Sequence, residues 1–292
     1  MNIYKDGKIL RVDFASVSDI IDASQQPLKL VVNQDRKAHY FRNRIAPDWF
    51  GIASTEAVIE AVNKSYAEGA EKIRALHDSV SVKLPRAVWS GRKRVRGDDG
   101  DDLNIEAVHR GELDRAWTKS VRRVKHGASA ITLYVDIGAN YMTRSDELQW
   151  RGLAGVALAR IMEAAGYSVE IVAGFHIAKY AVVRGCPPAI ISVRVKPRNA
   201  RADDATLAST VALPGFFRTY GFFGIIAAAD YLESVADDNL GSVAPLANPG
   251  MVKTDSRTMP VIMPANIGNE STAVDWIKET VELLQHSTID RG

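Results

Sequence analysis

The chain has 292 residues, of which 46% are hydrophobic and 25% are charged, and its formal net charge is only +2. This length allows one large domain or two smaller ones, and the small net charge gives no overall reason to expect a nucleic-acid partner. The sequence has no run of about 18 apolar residues, which is the length that would predict a membrane span. The first residues lack the apolar core of a signal peptide. Cys186 is the single cysteine, which excludes an internal disulfide. A cytoplasmic protein is expected.

The first part of the chain, residues 1–127, does not alternate strands and helices regularly, which predicts a mixed α+β N-terminal portion. Its expected elements are strands at 9–14, 28–32, 87–95 and 103–105, one or two helices over 55–76, and a helix at 112–123. Because Gly97-Asp-Asp-Gly100 is typical of a tight turn, the strands at 87–95 and 103–105 are expected to form a β-hairpin.

This hairpin lies in a basic segment, since residues 83–125 contain 12 Lys and Arg against 7 Asp and Glu. Basic side chains neutralise phosphates, and an aromatic ring stacks on exposed bases. The segment therefore offers a candidate nucleic-acid site made of Trp89, Arg92, Lys93, Arg94 and Arg96. The alternative is a solvated hairpin whose basic side chains pair with the acids of the turn. Strand alternation favours this alternative, because it divides the basic positions between two faces of the strand.

From residue 128 the pattern changes to alternating strands and helices, which predicts an α/β domain over 128–292 with a mainly parallel, Rossmann-like sheet. A capping box at Thr143 and Asp146, or Ser145 alone, is expected to begin the long helix that Gly166 ends. The other expected elements are strands at 131–137, 169–175, 189–195 and 259–263 and helices at 206–213, 216–231 and 271–284.

Polar groups follow the first of these strands, at the sheet edge where ligands bind in open α/β folds. Asp136 ends the strand, Asn140 follows it, and Arg151 lies near the start of the next helix, where it can reach an anionic ligand or pair with nearby acids. His176 follows the strand at 169–175, so a His–Asp pair acting as a general base is one possibility. A hydrogen-bonded packing role for His176, and a turn-stabilising role for Asp136, are the alternatives.

The segment Asp136-Ile-Gly-Ala-Asn140, with the helix after it and Gly166-Tyr-Ser-Val-Glu-Ile-Val172, resembles the opening of a von Willebrand factor A-type domain. Residues 213–223 resemble the late helical region of such domains. The stretch 48–174 is similar to an uncharacterised family encoded by bacteriophages and some bacteria; Gly97-Asp-Asp-Gly-Asp101, Gly111-Glu-Leu-Asp-Arg-Ala-Trp117 and Trp150-Arg-Gly152 carry that resemblance. It names a family and no function.

The resemblance implies a metal site, from which this sequence departs. Von Willebrand A-type sites use Asp-x-Ser-x-Ser on the first strand, and here Asp136 is retained while Gly138 and Asn140 replace the serines. No aspartate follows the strand at 259–263, where a further ligand is expected. A degenerate site is the expectation, with no cofactor, and Asp136 is the one residue left to hold Mg²⁺ or Mn²⁺.

Three functions follow from these observations. The first is a phage-encoded, non-enzymatic binding or scaffold protein, which contacts a protein partner through the sheet edge at Asp136, Asn140, Arg151 and His176. This function rests on analogy with other proteins of the same fold. The second is a nucleic-acid-binding protein that uses the basic segment 83–126. The third is a metal-dependent hydrolase built on Asp136 and His176. No membrane partner is expected.

Overall fold

A computed structural model describes residues 1–80, 84, 88–97, 100, 102–126, 130–140, 142–177, 187–198, 200, 203–236, 243–244, 246 and 258–289. The strands are β1 (Asn2–Asp6), β2 (Ile9–Phe14), β3 (Val88–Gly97), β4 (Asp102–Leu103), β5 (Trp117–His126), β6 (Ala130–Asp136), β7 (Ser168–Ile177), β8 (Ala189–Lys196), β9 (Val243–Ala244) and β10 (Thr258–Ile262). The helices are α1 (Val17–Gln25), α2 (Val31–Phe41), α3 (Pro47–Phe50), α4 (Thr55–Asn63), α5 (Ala67–Ser79), α6 (Ile105–His109), α7 (Ser145–Ala164), α8 (Asp204–Leu207), α9 (Pro214–Phe216), α10 (Phe222–Tyr231) and α11 (Glu270–Ile289).

The main sheet is mixed and has the strand order β1-β2-β8-β7-β6-β10, with β9 paired to β7. Parallel pairs join β2 to β8, β7 to β6 and β6 to β10, whereas β1–β2, β8–β7 and β7–β9 are antiparallel. The expected α/β class is confirmed, and the sheet is mostly parallel along its main path. The division near residue 127 remains a prediction, and the sheet itself joins strands from both sides of it.

Helices α1, α7 and α10 contact the sheet, and their apolar residues pack on one of its faces. Ile131, Leu133 and Val135 of β6 are fully buried on that face, and α7 lies between the sheet and a further layer formed by α5 and α11. The opposite face carries polar residues, among them Asp13 and Glu170, around a small apolar cluster. Alternation of apolar and polar positions is typical of a sheet whose helices cover one side.

Two glycines in α7 allow the helix to approach its neighbours closely. A Cβ built on Gly152 would lie 2.2 Å from the Val211 carbonyl oxygen, and one on Gly155 would lie 2.8 Å from Val135 Cγ2. Gly166, with φ +90°, follows the helix in the left-handed conformation. The predicted capping box is wrong: Arg144 is the N-cap residue and makes no side-chain capping bond. Its guanidinium pairs with Asp146 instead.

Three further predictions are wrong. The segment 28–32, expected to be a strand, leads into α2, because the Asp230 carboxylate accepts the Lys29 and Leu30 amides at 2.8 and 2.9 Å and so stabilises the start of the helix. Residues 103–105 are not the partner of β3. The expected helix at 112–123 is a 3₁₀ turn, Leu113–Arg115, followed by β5. β-Branched residues within β5 favour the strand over the helix.

The aromatic segment 216–223 belongs to the core: Phe216, Phe217 and Phe223 are at most 2% exposed. The chain bends by 58° between Asp204–Ala212 and Pro214–Tyr231, and each part contains one π-helical turn. Within the described part of the chain no single helix has the length and apolar character to cross a membrane, although this bent pair meets both conditions when its two parts are taken together.

Candidate functional site

The carboxyl ends of β6, β7 and β10 meet the amino end of β8 at one edge of the main sheet. Asp136 is the last residue of β6 and lies opposite Gly174 of β7 in the register. The sequence-predicted edge therefore exists. His176 lies two residues beyond Gly174 on the same strand face, so the fold brings the two predicted titratable groups to one region of the sheet.

Asp136 is only 1% exposed. Its Oδ1 accepts the Gly138 amide at 2.9 Å and its Oδ2 accepts the Leu246 amide at 3.1 Å. Burial raises the pKa of this carboxyl to about 6, against the opposing effect of these two hydrogen bonds and of nearby Arg151. The carboxylate therefore holds the loop after β6 and residue 246 together.

Arg151 is 9% exposed and reaches from α7 to two loops at the same edge. Its Nη1 donates to the Gly138 carbonyl at 2.8 Å and its Nε to the Ile267 carbonyl at 3.3 Å. Burial lowers the pKa of the guanidinium, and Asp136 and Glu147 oppose that shift. The side chain joins α7 to the loops that follow β6 and β10, which is a positioning role within the fold.

Asn140 is the exposed member of the predicted set; its side-chain oxygen accepts the Val243 amide at 3.2 Å. His176 is 9% exposed, and its buried Nδ1 has no hydrogen-bond partner among the described residues. Burial lowers the pKa of His176. Since the oxygens of Asp136 accept backbone amides, the geometry gives no support to a His–Asp base.

A metal site at this edge also finds little support in the geometry. The described residues contain no group of three or more His, Cys, Asp or Glu side chains placed to share an ion. Position 138 has no room for a side chain, because a Cβ there would lie 2.5 Å from Phe175 Cβ and 2.6 Å from Val243 Cγ1. Cys186 lies outside the described residues.

The basic segment forms a separate three-stranded sheet with the order β3-β5-β4. β3 and β5 pair antiparallel over their full ten residues, with Arg92 opposite Arg122 and Trp89 opposite Lys125. We call this pair of strands the basic ribbon. Together the two strands contain eight Lys and Arg and no Asp or Glu: Arg92, Lys93, Arg94, Arg96, Lys119, Arg122, Arg123 and Lys125.

Directly opposed residues share a face of an antiparallel pair, so the register divides the ribbon into two basic faces. One face takes the positions of Arg92, Arg94, Arg96 and Arg122. The other takes those of Lys93, Lys119, Arg123 and Lys125, with a tryptophan position, Trp89 or Trp117, at each end. The sequence placed all eight in the basic segment 83–126, but it put only the first four on a strand, because residues 112–123 were expected to form a helix.

One end of the ribbon carries an exposed apolar surface that sequence reasoning did not identify. Trp117 is 37% exposed and lies opposite Leu103 of β4, which is 47% exposed. Ile105 and Leu113, close by in sequence, are 65% and 64% exposed. Large apolar side chains grouped on a surface indicate an interaction site more often than single ones do.

Arg218 is a second residue that the sequence did not single out. It is 1% exposed, lies with its guanidinium carbon 3.8 Å from the ring centre of Trp49, and donates to the carbonyls of Trp49 and Thr143. Burial lowers its pKa to about 10. Arginine suits this position because its planar guanidinium can stack on the Trp49 ring and donate to two carbonyls at once.

A family model described as "Domain of unknown function (DUF7192)" matches residues 2–286. The chain belongs to this family. No curated protein and no solved structure matches the chain. The family description assigns no activity, so the functional argument rests on the geometry of the sheet edge and of the basic ribbon.

Proposed function

We propose that this protein is a non-enzymatic binding protein that holds nucleic acid along the basic ribbon. One observation carries the proposal: the antiparallel pairing of β3 with β5 places eight basic residues side by side without an acid in either strand. A two-stranded ribbon of about ten residues per strand spans roughly 34 Å. A ribbon of this kind fits the major groove of duplex DNA, and its charges match a row of phosphates.

One cross-strand pair favours a ligand over a solvated structural hairpin. Arg92 lies directly opposite Arg122, and like charges in this position destabilise an antiparallel pair. No acid of the partner strand offsets the repulsion. Binding of a polyanion would relieve this repulsion. Binding therefore accounts for an arrangement of basic residues that lowers the stability of the free protein.

Trp117 adds a second kind of contact. It is exposed at the end of the ribbon face that also holds Lys119 and Arg123 by register. Aromatic side chains among basic residues bind single strands by stacking on bases. The ribbon thus combines a charge-based contact, which any nucleic acid can make, with a stacking contact, which unpaired bases make best.

The test is to measure the affinity of single- and double-stranded oligonucleotides over a series of salt concentrations. We expect steep salt dependence for the wild type and, for Arg92→Gln combined with Arg122→Gln, weaker binding with a salt slope smaller by about 2. Lys64→Gln is the matched control, since Lys64 is exposed at the C-cap of α4 and pairs only with Glu60 among the described residues. Absence of binding at low salt, or equal binding by the double variant, would contradict the proposal.

The von Willebrand A-like relationship and a bacteriophage origin also remain proposals. The β6–α7–β7 unit supports the first, because it is a parallel strand–helix–strand unit that ends its first strand on Asp136. A protein partner at that edge is less well supported than a nucleic-acid partner at the ribbon, since Asp136, Arg151 and His176 are at most 9% exposed.

A further inference from the structure

The polar face of the main sheet contains a pocket of about 350 Å³, within the size range of small-molecule sites. It lies across the middle strands, on the side opposite α7. Its polar lining includes Arg11, Asp13, Tyr134, Glu170, Ser192 and Arg194. None of these residues belongs to the sheet-edge site or to the basic ribbon.

The floor of the pocket is formed by small and apolar residues. Ser192 of β8 lies opposite Gly174 of β7 in the register, and Val172 and Ile190 flank this pair. A Cβ on Gly174 would lie 2.9 Å from the Ile191 carbonyl oxygen. The strands therefore form a shallow depression with an apolar base and charged walls.

Asp13 forms one wall of the pocket. Its two carboxylate oxygens accept the Tyr4 hydroxyl at 2.5 Å and the Ser192 hydroxyl at 2.6 Å. A carboxylate has about four acceptor positions, so each oxygen can take a further donor. Arg11, the register neighbour of Tyr4, is fixed by a 2.7 Å ion pair with Asp6.

The other end of the pocket is formed by Glu170 and Arg194, whose ion pair measures 2.7 Å. Glu170 also accepts the Thr132 hydroxyl at 3.3 Å. The Arg194 side chain is 50% exposed, so its guanidinium can turn towards a molecule in the pocket while keeping this ion pair. Tyr134 lies among these groups; burial, with Glu170 and Asp13 nearby, raises its pKa to about 12, so its phenol stays neutral and can donate.

We propose that this pocket binds a small zwitterion, namely a free α-amino acid with an apolar side chain. The pocket presents two carboxylates and two guanidiniums, so a simple anion or cation meets repulsion from one pair of charges. An α-amino acid satisfies both signs: its ammonium donates to Asp13, its carboxylate accepts from Arg194, and its side chain covers Val172 and Ile190.

The experiment measures the melting temperature and the equilibrium affinity with L-leucine, L-valine and L-phenylalanine, each added singly at millimolar concentration. Selective binding to the folded state raises the melting temperature. N-acetyl-L-leucine lacks the ammonium and L-leucinamide lacks the carboxylate, so each should bind at least about tenfold more weakly than L-leucine because a charge-assisted contact is lost.

Two variants connect the affinity to the named residues. Asp13→Asn keeps an acceptor oxygen within the wall but removes the charge, and Arg194→Gln removes the guanidinium from a half-exposed position; each should weaken binding of the free amino acid about tenfold. Lys64→Gln should bind like the wild type. The proposal is overturned if none of the three amino acids binds, if the blocked analogues bind equally well, or if both pocket variants keep wild-type affinity.

Discussion

The helix-covered face of the main sheet and the basic ribbon differ in what their residues contact. Around α7 the packing is close: Leu133 and Val135 of the sheet are fully buried, and a Cβ on Gly152 would lie 2.2 Å from the Val211 carbonyl oxygen. In the ribbon, the backbone ladder joins two strands that contain eight basic residues and no acid, with Arg92 directly opposite Arg122. The first region therefore restricts side-chain volume, whereas the second concentrates positive charge on two paired strands.

We expect a single added methyl group to lower stability most where α7 packs against Val211 and Ala212. Gly152→Ala should lower the free energy of unfolding by about 3 kcal/mol or more, because its Cβ meets the backbone of Val211 and Ala212, which cannot move aside cheaply. Urea denaturation measures the effect. Gly268→Ala is the control, since its Cβ would meet only Glu147 Cγ at 3.6 Å; equal loss in both variants would refute the close-packing account.

The buried charge at the sheet edge should give a pH-dependent stability. The pKa of Asp136, about 6 when folded, lies above its ordinary value of 3.8. The folded state therefore binds this proton more tightly, and the contribution of Asp136 to stability is greatest below about pH 4 and falls as the pH rises through about 6, by up to about 3 kcal/mol.

The measurement compares the wild type with Asp136→Asn across this pH window. The effect of His176 has the opposite sign, because burial lowers its pKa, but it is present in both proteins and cancels. A difference in stability between the two proteins that does not change with pH would contradict the burial of an ionisable Asp136.

Arg218 should be sensitive even to a conservative change. Arg218→Lys keeps the charge but loses the planar stack on Trp49 and one of two carbonyl contacts, which should cost about 2 kcal/mol of stability. Arg144→Lys is the control, because the Arg144 side chain is 75% exposed. Thermal or urea unfolding of both variants measures the difference, and similar values would show that the stack contributes little.

The ribbon should show the reverse pattern, with small effects on stability and larger ones on binding. Trp117→Ala should weaken binding of single strands about tenfold, while Trp117→Phe should retain most of the affinity through stacking. Trp117 is only 37% exposed, so Trp117→Phe, which keeps an aromatic ring in this partly buried position, should change the free energy of unfolding little. Quenching of tryptophan fluorescence by an added oligonucleotide gives a second measurement; equal loss for single strands and duplexes would argue against base stacking.

The sequence predicted the main strands and the long helices because their signals are local. The apolar run at 131–137, the stripe of α7 and the glycine at 166 each act through neighbours a few residues away. The polar edge at Asp136 followed from the same local pattern. The burial of Asp136 could not be predicted from this pattern. It depends on hydrogen bonds from the amides of Gly138 and Leu246, and Leu246 is 110 residues distant in the sequence.

The errors have a common physical cause. Residues 28–32 lead into a helix because Asp230, about 200 residues away, accepts their amides. The segment 112–123 contains charges that suit a helix end, but pairing with β3 overrides that preference. The polar pocket could not be predicted either, because it combines residues of β2, β6, β7 and β8 whose order in the sheet the sequence does not specify.

The pairing of β2 with β8 has a consequence for how the chain folds during synthesis. Asp13 accepts the hydroxyl of Ser192 across a separation of 179 residues, so β1 and β2 emerge from the ribosome long before their neighbour in the sheet exists. Such non-local contacts slow folding. The N-terminal strands must therefore stay unpaired with the sheet, or be protected by another molecule, until most of the chain has been translated.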